Sequence, residues 1–213
     1  MKTNRRERAD GQETREAILE AAAKEFSKKG FDLASVREIC KRAKVNSALA
    51  NRYFGSKEDL YRTVARRLFG DLGRPLGELS KGVKTEADWR AAITAWVDDF
   101  LFMTLPSEKA QKLCAGLFKQ EVTNPTKFHD AFTRDFGKPI YDALRALLAM
   151  KVKDETELEL WTSSVWAQVS VYALADSAWH RAFRPDGVDN RTWAARVRDH
   201  VCGVIFRSLE GRR

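Results

Sequence analysis

The chain of 213 residues is long enough for one large domain, or for a small domain joined to a larger one. Hydrophobic residues make up 44% of it, with six Trp and twelve Phe, which excludes a largely disordered protein. The longest stretch without a charge, 160–175, contains several polar residues and is shorter than the roughly 20 apolar residues that span a membrane. The basic N-terminus lacks the apolar segment of a signal peptide. Three widely separated cysteines, Cys40, Cys114 and Cys202, fit neither a disulfide framework nor a zinc site. We expect them to act as small hydrophobic residues of a protein in a reducing cytoplasm.

Positive charge is concentrated in the first third of the chain. Residues 1–67 hold 17 Lys and Arg against 10 Asp and Glu, a net charge of +7, whereas the remaining residues hold 21 against 20. This asymmetry predicts a polyanion-binding N-terminal module on a nearly neutral body. Arg5, Arg6 and Arg8 precede the first predicted helix, and they form either a solvated tail or an arm that lies in a minor groove.

Four short or medium helices are predicted in the basic third. The first, 14–29, has an apolar stripe with helical spacing and ends at Gly30, a residue type that commonly follows a helix. Ser35 opens the second helix with a capping box, Asn46 caps the third, and Ser56 opens the fourth, which runs through residue 68. Glycines and a proline between residues 70 and 77 then loosen or break the helix.

Five longer helices are predicted in the rest of the chain, so the fold class is all-α with about nine helices. Their predicted bounds in chain order are 85–106, 109–122, 124 onwards, 155 to about 183, and 189 or 190 to 209. The third of these begins at Asn124 as a cap followed by Pro125, and Pro139 is expected to kink it. Residues 184–187 are predicted to form a turn.

Residues 36–54 combine a helix, a short turn and a second short helix in a basic segment. This is the helix-turn-helix arrangement, whose second helix enters the DNA major groove. A groove-reading helix packs on one side only, which explains why this helix has few apolar side chains. Spacing alone leaves its buried side open between Leu49 with Tyr53 and Ala50 with Phe54.

The stretch TREAILEAAAKEFSKKGFDLASVREICKRAKVNSALANRYFGSKEDLY resembles the N-terminal domain of TetR-family transcriptional regulators along its whole length. Within that family, VNSALANRYFGSKE is similar to the CecR-like branch, and so is LFKQEVTNPTKFHDAFTRDFGKPIYDALRALLA. Arg52 departs from the branch, where an aromatic residue is more usual, so the operator sequence is not carried over. The resemblance implies a basic arm at 1–12, a DNA-binding domain at 13–69 and a ligand-binding and dimerisation domain at 70–213.

The resemblance implies that one side of the third helix faces double-stranded DNA. It places Val45, Ala50 and Phe54 inward and implies that base edges are read by Ser47, Ala48, Leu49, Asn51 and Arg52. Phosphate contacts are expected from Ser35, Ser47, Tyr53 and Lys57. Two alternatives stay open: Tyr53 packs half-buried on the first helix, and Arg52 contacts a phosphate without reading a base.

In TetR-like proteins the last two helices pair with those of a second copy, which implies a homodimer. The side chains with suitable spacing for that contact are Leu158, Trp161, Val165, Val169, Tyr172, Asp176, Val197, Val201, Ile205 and Leu209. The other helices usually enclose a small-molecule pocket, here for an apolar or aromatic ligand. The candidate lining residues are Trp96, Phe100, Phe118, Glu121, His129, Phe132, Phe136, Trp166 and Gln168. The alternative for each of them is an ordinary aromatic-rich core.

The sequence has no pattern that predicts catalysis, a metal site or a cofactor. It lacks a glycine-rich phosphate loop and a Ser-His-Asp context, and His129, His180 and His200 do not have metal-ligand spacing. Three hypotheses follow. The chain is a dimeric repressor released from a palindromic operator by an inducer, or a DNA-binding adaptor on the same scaffold without an inducer, or a helical enzyme or lipid carrier with an incidental basic face. Release of DNA by a ligand distinguishes the first, ligand-insensitive binding the second, and absence of sequence preference the third.

Overall fold

The computed structural model describes residues 2–70, 78–104, 109–174 and 185–211. Within these ranges the chain forms ten α-helices and one π-helical turn and no β-strand, which confirms the all-α fold. The helices are α1 Lys2–Leu33, α2 Val36–Ala43, α3 Ser47–Phe54, α4 Lys57–Phe69, α5 Glu86–Thr104, α6 Lys109–Thr123, α7 His129–Phe132, α8 Lys138–Leu148, α9 Glu155–Leu174 and α10 Asn190–Leu209. Counting α7, the π-helical turn and α8 as one segment gives nine helices in the described ranges, the number predicted. None of these helices is long and apolar enough to cross a membrane.

Helix α1 begins at Lys2, well before the predicted start at residue 14. Residues 2–13 contain no proline, and Gly11 is their one residue of very low helix propensity, so nothing in this segment stops the helix from continuing toward the N-terminus. The three arginines at 5, 6 and 8 therefore lie on helical backbone and not on an extended tail. Near the other end, Gly30 has a φ of 72°, a conformation that glycine adopts without strain, and the helical geometry is interrupted where predicted.

The predicted caps of the helix-turn-helix and of the last helix are present. The side-chain oxygen of each cap accepts a hydrogen bond from a backbone N–H three residues on, which satisfies a donor at the start of the helix. The cap residues are Ser35, Asn46, Ser56 and Asp189, with donor–acceptor distances of 3.4, 2.8, 3.1 and 2.9 Å. Asp59 completes the capping box at Ser56.

The helix predicted to begin at Asn124 begins instead at His129, so that prediction is wrong. The backbone N–H of Asn124 donates to the Gln120 carbonyl at 2.8 Å, so Asn124 ends the preceding helix and is not free to open a new one. Thr126 then forms a turn, because its hydroxyl accepts a hydrogen bond from the Phe128 N–H at 3.1 Å. The break expected at Pro139 takes the form of the π-helical turn Thr133–Gly137, which ends just before the proline. A wider turn is one way for a helix to accommodate the missing proline N–H.

The core of the helix-turn-helix is shared with the body of the protein. Leu117, Phe128 and Phe132 belong to the body, yet they are buried against the apolar side chains of α1 to α4. Helix α6 lies very close to α1, because a Cβ at Gly116 would come within 2.8 Å of the Ser27 carbonyl oxygen. The Ser27 hydroxyl also donates to the Leu113 carbonyl at 2.7 Å. The first four helices and α6 are therefore packed as one unit.

A second core joins α5, α8, α9 and α10. Two fully buried tryptophans of α5 fix it to α8, since Trp89 donates to the Leu147 carbonyl at 2.8 Å and Trp96 to the Ile140 carbonyl at 3.0 Å. Cys40 and Cys202 are buried free thiols, as expected of small hydrophobic residues. Several predictions fall outside the described residues: the glycine-rich break beyond Gly70, the helix end at 105–106, the final turns of the fourth body helix up to 183, and Asp176.

Candidate nucleic-acid interface and cavity

Helix α3 buries Ala50 and Phe54, which are 3% and 8% exposed. This decides between the two faces that spacing left open, because Leu49 and Tyr53 are only half-buried. The guanidinium of Arg15 in α1 lies 5.2 Å from the centre of the Phe54 ring, and this cation–π contact packs α1 against the C-terminal end of α3. The inward face is the one expected from the family resemblance.

The opposite face of α3 presents polar and small side chains to solvent. Ser47, Ala48, Asn51 and Arg52 are exposed, and Leu49 is half-buried beside them. Within the described residues, neither Asn51 nor Arg52 has a side-chain hydrogen bond or ion pair. Their amide and guanidinium are therefore free to contact base edges or phosphates. Base reading by these five residues remains a prediction.

The four side chains predicted to contact phosphate differ in how free they are. Ser47 is exposed, whereas the hydroxyl of Ser35 already caps α2. Tyr53 is half-buried and packs against the core, with its hydroxyl 3.2 Å from the position that a Cβ on Gly11 would occupy. The ammonium of Lys57 donates to the Asp32 carbonyl at 3.2 Å. A lysine has three donors, so this bond leaves two for a phosphate.

Glu25 of α1 is a buried carboxylate that the sequence patterns did not single out. It pairs with Lys29 of α1 at 2.6 Å and with Arg42 of α2 at 3.4 Å, as ion pairs and not as aligned hydrogen bonds. Burial alone would raise the pKa of Glu25, but Lys29 and Arg42 outweigh it and hold the pKa below its ordinary value. The pair with Arg42 ties the first helix of the helix-turn-helix to α1. The sequence feature that could have identified Glu25 is an acidic residue within the apolar stripe of α1.

A cavity of about 920 Å³ opens between α6, the segment from α7 to α8, and α9. Four of the nine predicted lining residues border it: Phe118, His129, Phe132 and Trp166. The sequence patterns missed the other lining residues, which are Val122, Thr133, Gly137, Lys138, Tyr141, Asp142, Arg145, Glu159, Ala167, Ser170 and Val171. Most of these lie on α8 and α9, the helices that contain Pro139 and Trp166. Their helical spacing from those two residues is the sequence feature that could have identified them.

The other five predicted lining residues do not border this cavity. Trp96 and Phe100 are fully buried in the core that joins α5 to α8, where their rings stack at 5.5 Å. Phe136 lies beside Phe69 and Phe132 at a smaller gap near α4. Glu121 lies buried behind the cavity wall, and Gln168 is half-buried outside the lining. These assignments are corrected because the helix packing fills the space next to α5 and leaves it next to α9.

The charged side chains of the cavity wall are paired with one another. The Lys138 ammonium is 2.6 Å from the Asp142 carboxylate, and the Arg145 guanidinium is 3.4 Å from the Glu159 carboxylate. Tyr141 donates a hydrogen bond to Glu159, and burial, with that carboxylate, raises the pKa of the tyrosine. The wall thus combines an apolar and aromatic lining with balanced charges. The buried hydroxyl of Ser170, which also belongs to the lining, has no hydrogen-bond partner within the described residues.

A hydrogen-bonded cluster connects the cavity wall to the DNA-binding helices. Glu121 of α6 is fully buried, and its Oε1 accepts hydrogen bonds from the Tyr61 hydroxyl of α4 and, at 2.9 Å, from the Thr126 hydroxyl. His129, which lines the cavity, has Nδ1 3.0 Å from the Glu121 carbonyl oxygen and 3.8 Å from Oε2. Burial, and then the Glu121 carboxylate, raise the pKa of Tyr61, so its hydroxyl stays protonated and donates.

Seven of the side chains predicted to contact a second copy are buried in the core of the single chain. They are Leu158, Val165, Val169, Val197, Val201, Ile205 and Leu209. Trp161 and Tyr172 are half-buried against the same core. Burial within one chain contradicts the assignment of the seven side chains to a dimer contact, and the assignment of Trp161 and Tyr172 stays a prediction. An apolar stripe marks the buried side of a helix without saying whether its own chain or another chain covers it. The outward face of α9 instead carries Leu160 and Val171, 67% and 49% exposed.

Residues 18–64 match the family model described as bacterial regulatory proteins, tetR family. Over 87 residues the chain is 31% identical to the HTH-type transcriptional repressor NicS of Pseudomonas putida, with 41% of each chain covered. Over 81 residues it is 35% identical to the HTH-type transcriptional regulator BetI of Brucella canis, with 38% of this chain and 41% of BetI covered. The match therefore spans about 41% of the length of both relatives.

The fold as a whole is similar to that of solved regulators. A transcriptional regulator from Rhodococcus sp. Rha1 superposes with a TM-score of 0.63 at 22% identity, covering 93% of this chain and 99% of that one. Identity at this level shows a shared fold, and it carries no information on the ligand. The described helices thus follow the architecture of that regulator beyond the segment where sequence similarity is found.

Proposed function

We propose that this chain, whose segment 18–64 matches the model of the tetR family, is a cytoplasmic transcriptional repressor of that family that binds a palindromic operator as a homodimer. A small molecule in the cavity releases it from DNA. The observation that carries this proposal is the cluster of Tyr61, Glu121 and His129, which joins the DNA-binding helices to the cavity wall. The CecR-like branch is the proposed place of the chain within the family.

The exposed face of α3 is the proposed reading surface. Asn51 and Arg52 are unpaired within the described residues and suit adenine and guanine, which offer bidentate contacts in the major groove. Ser47 and Lys57 then hold phosphates at the two ends of the helix, and Lys57 lies in the first turn of α4, where the helix dipole also favours an anion. Each helix-turn-helix of the dimer, here called a reading head, reads one half-site.

A homodimer follows from the small size of one helix-turn-helix, which offers too few contacts for a specific site. The outward face of α9 is the proposed contact, because Leu160, Ser164, Ala167 and Val171 follow one another at spacings of four and three residues and are exposed in the single chain. Ala167 and Val171 also border the cavity, so the second copy would lie beside its opening. A second copy would cover this apolar stripe and place two reading heads on one face of the DNA.

Ligand binding can weaken operator binding only if the two arrangements of the heads bind the ligand with different affinity. A tenfold loss of operator affinity requires about 1.4 kcal/mol of such coupling. Tyr61 is the proposed point of transmission, since it belongs to α4 and donates to a carboxylate directly behind the cavity wall. A shift of Glu121 or His129 on ligand binding therefore acts on α4, and through it on the spacing of the reading heads.

Selection of bound sequences from random DNA, followed by a screen for small molecules that release the selected site, tests the proposal. We expect two inverted half-sites separated by about one helical turn or a multiple of it. DNA binding that no metabolite affects would instead support the adaptor hypothesis. Binding without any sequence preference would contradict both hypotheses.

A further inference from the structure

The two ring nitrogens of His129 have different surroundings. Nδ1 lies 3.0 Å from the Glu121 carbonyl oxygen, and because a carbonyl only accepts, Nδ1 carries the proton in the neutral ring. Nε2 is then an acceptor, and its contact within the described residues is the Thr133 hydroxyl at 3.4 Å. Since His129 and Thr133 both line the cavity, Nε2 is the ring nitrogen available to a ligand. A neutral His129 therefore presents an acceptor to the cavity, and a protonated one presents a donor with a positive charge.

The carboxylate of Glu121 lies on the other side of the imidazole ring. Its Oε1 receives two hydroxyl donors, whereas Oε2 is buried without a hydrogen bond from the described residues and lies 3.8 Å from Nδ1. Burying a carboxylate oxygen without a partner is costly. A positive charge on His129 would lower that cost, because the ring would then stand directly beside Oε2. The structure thus holds a buried carboxylate oxygen beside the ring, with no hydrogen bond from the described residues.

Among the described residues of the wall, no other titratable group can supply a new positive charge. Elsewhere in the lining, the cations Lys138 and Arg145 are paired with Asp142 and Glu159, Arg145 also pairs with Glu155, and Tyr141 donates to Glu159. Along α7, the neighbouring Asp130 is exposed to solvent, and from α4 the Tyr61 hydroxyl donates to Glu121. The rest of the lining is largely apolar and aromatic, and histidine is the residue type that gains a charge near neutral pH.

We propose that the cavity binds an apolar or aromatic organic acid, whose anionic group accepts a hydrogen bond from the protonated Nε2 of His129. The proposal rests on the proposed function, in which this cavity is the effector site. A monoanion that enters a wall of balanced charge leaves one negative charge uncompensated, and uptake of one proton from solvent by His129 restores the balance. The charged ring then attracts Oε2 of Glu121, while Oε1 of the same carboxylate holds the Tyr61 hydroxyl, and a shift of this carboxylate acts on α4.

Titration calorimetry of the full chain without DNA tests the proposal, with 4-biphenylcarboxylic acid as the probe and its primary amide as the uncharged match. We expect the acid to bind at least about tenfold more tightly than the amide, since a charge-assisted hydrogen bond is lost with the amide. At pH 8, where an imidazole is ordinarily neutral, binding of the acid should take up close to one proton. The uptake is obtained by repeating the titration in phosphate and in Tris, whose ionisation enthalpies differ.

Two variants separate the role of His129 from a merely structural one. His129→Gln should remove the preference for the acid over the amide and abolish proton uptake. His200→Gln is the matched control, because His200 is an exposed histidine of α10 that is not part of the cavity lining, and acid binding by this variant should equal the parent's. Glu121→Gln keeps the shape of the side chain, and it should reduce both the acid's affinity and the proton uptake.

Equal affinity for acid and amide, no proton uptake at pH 8, or unchanged acid binding in His129→Gln would overturn the proposal. Failure of the acid to bind at about 1 mM, the weak end of specific affinity, would also overturn it. These outcomes do not depend on DNA. If an operator is found and a neutral molecule releases it, the repressor function stands and the organic-acid proposal fails. If the acid binds through His129 but no operator is found, the organic-acid proposal stands and the repressor function fails.

Discussion

Replacing Tyr61 by Phe removes one hydroxyl from the cluster that connects α4 with the cavity wall. The ring itself is held by its neighbours, with centroid distances of 5.0 Å to Phe26, 5.3 Å to Phe31 and 5.3 Å to Phe128. Because Phe keeps the ring and these contacts, the substitution isolates the hydrogen bond to Glu121. Tyr61 is almost fully buried, so water cannot take the place of the lost donor.

The magnitude follows from what the carboxylate retains. In the variant, Thr126 is the remaining donor to Oε1, and Oε2 has none among the described residues. A hydrogen bond to a charged group contributes about 1.5–3 kcal/mol, so we expect Tyr61→Phe to lower the free energy of unfolding by about 2 kcal/mol. When Glu121→Gln is already present, the same change should cost about 1 kcal/mol, because the bond is then no longer charge-assisted.

Urea denaturation followed by far-ultraviolet circular dichroism measures these differences. Tyr141→Phe is the control, since Tyr141 also donates to a carboxylate, but the pair with Glu159 is exposed to solvent and should contribute less than about 1 kcal/mol. Two results would refute the reasoning that a buried, charge-assisted bond ties α4 to α6. One is a Tyr61→Phe variant as stable as the parent, and the other is an equal loss of stability with and without the Glu121→Gln substitution.

Three further predictions concern the DNA surface, the dimer and the acid stability of the helix-turn-helix. Alanine at Asn51 or Arg52 should cost about 1–3 kcal/mol on the selected operator and relax specificity at one position, whereas Lys57→Ala should weaken binding to every sequence and reduce the salt slope by about one. Equal losses on operator and random DNA in gel-shift titrations would argue against base reading. Leu160→Lys should give folded monomers by light scattering, and a persisting dimer would place the interface elsewhere. Glu25→Gln should destabilise the protein at neutral pH. Because the folded pKa of Glu25 is lowered, its contribution is present above the ordinary pKa of 4.5 and lost as the pH falls through the folded pKa. The stability difference between variant and parent should therefore shrink in acid, and a difference independent of pH would exclude the ion pairs as its cause.

Local sequence was sufficient wherever the deciding interaction spans a few residues. Asn46, Ser56 and Asp189 each reach a backbone N–H three residues away, so the starts of α3, α4 and α10 could be predicted from residue types alone. Asn124 shows the limit of this reasoning. It has the composition of a cap, but its N–H is already bound by the Gln120 carbonyl at the end of α6, and the next helix begins only at His129.

Only the tertiary structure decided which surface covers each apolar stripe and where a gap remains. Val165 and Ile205 have the spacing of a dimer contact, yet the packing of α9 and α10 on α5 buries them within the single chain. Trp96 was a reasonable cavity residue by type, but its indole N–H finds the Ile140 carbonyl and the ring fills the core. Apolar periodicity indicates that a side chain is buried, and the pattern is the same whether the same chain or a second chain buries it. A cavity is the space that packed helices fail to fill, and its position depends on all of their contacts together.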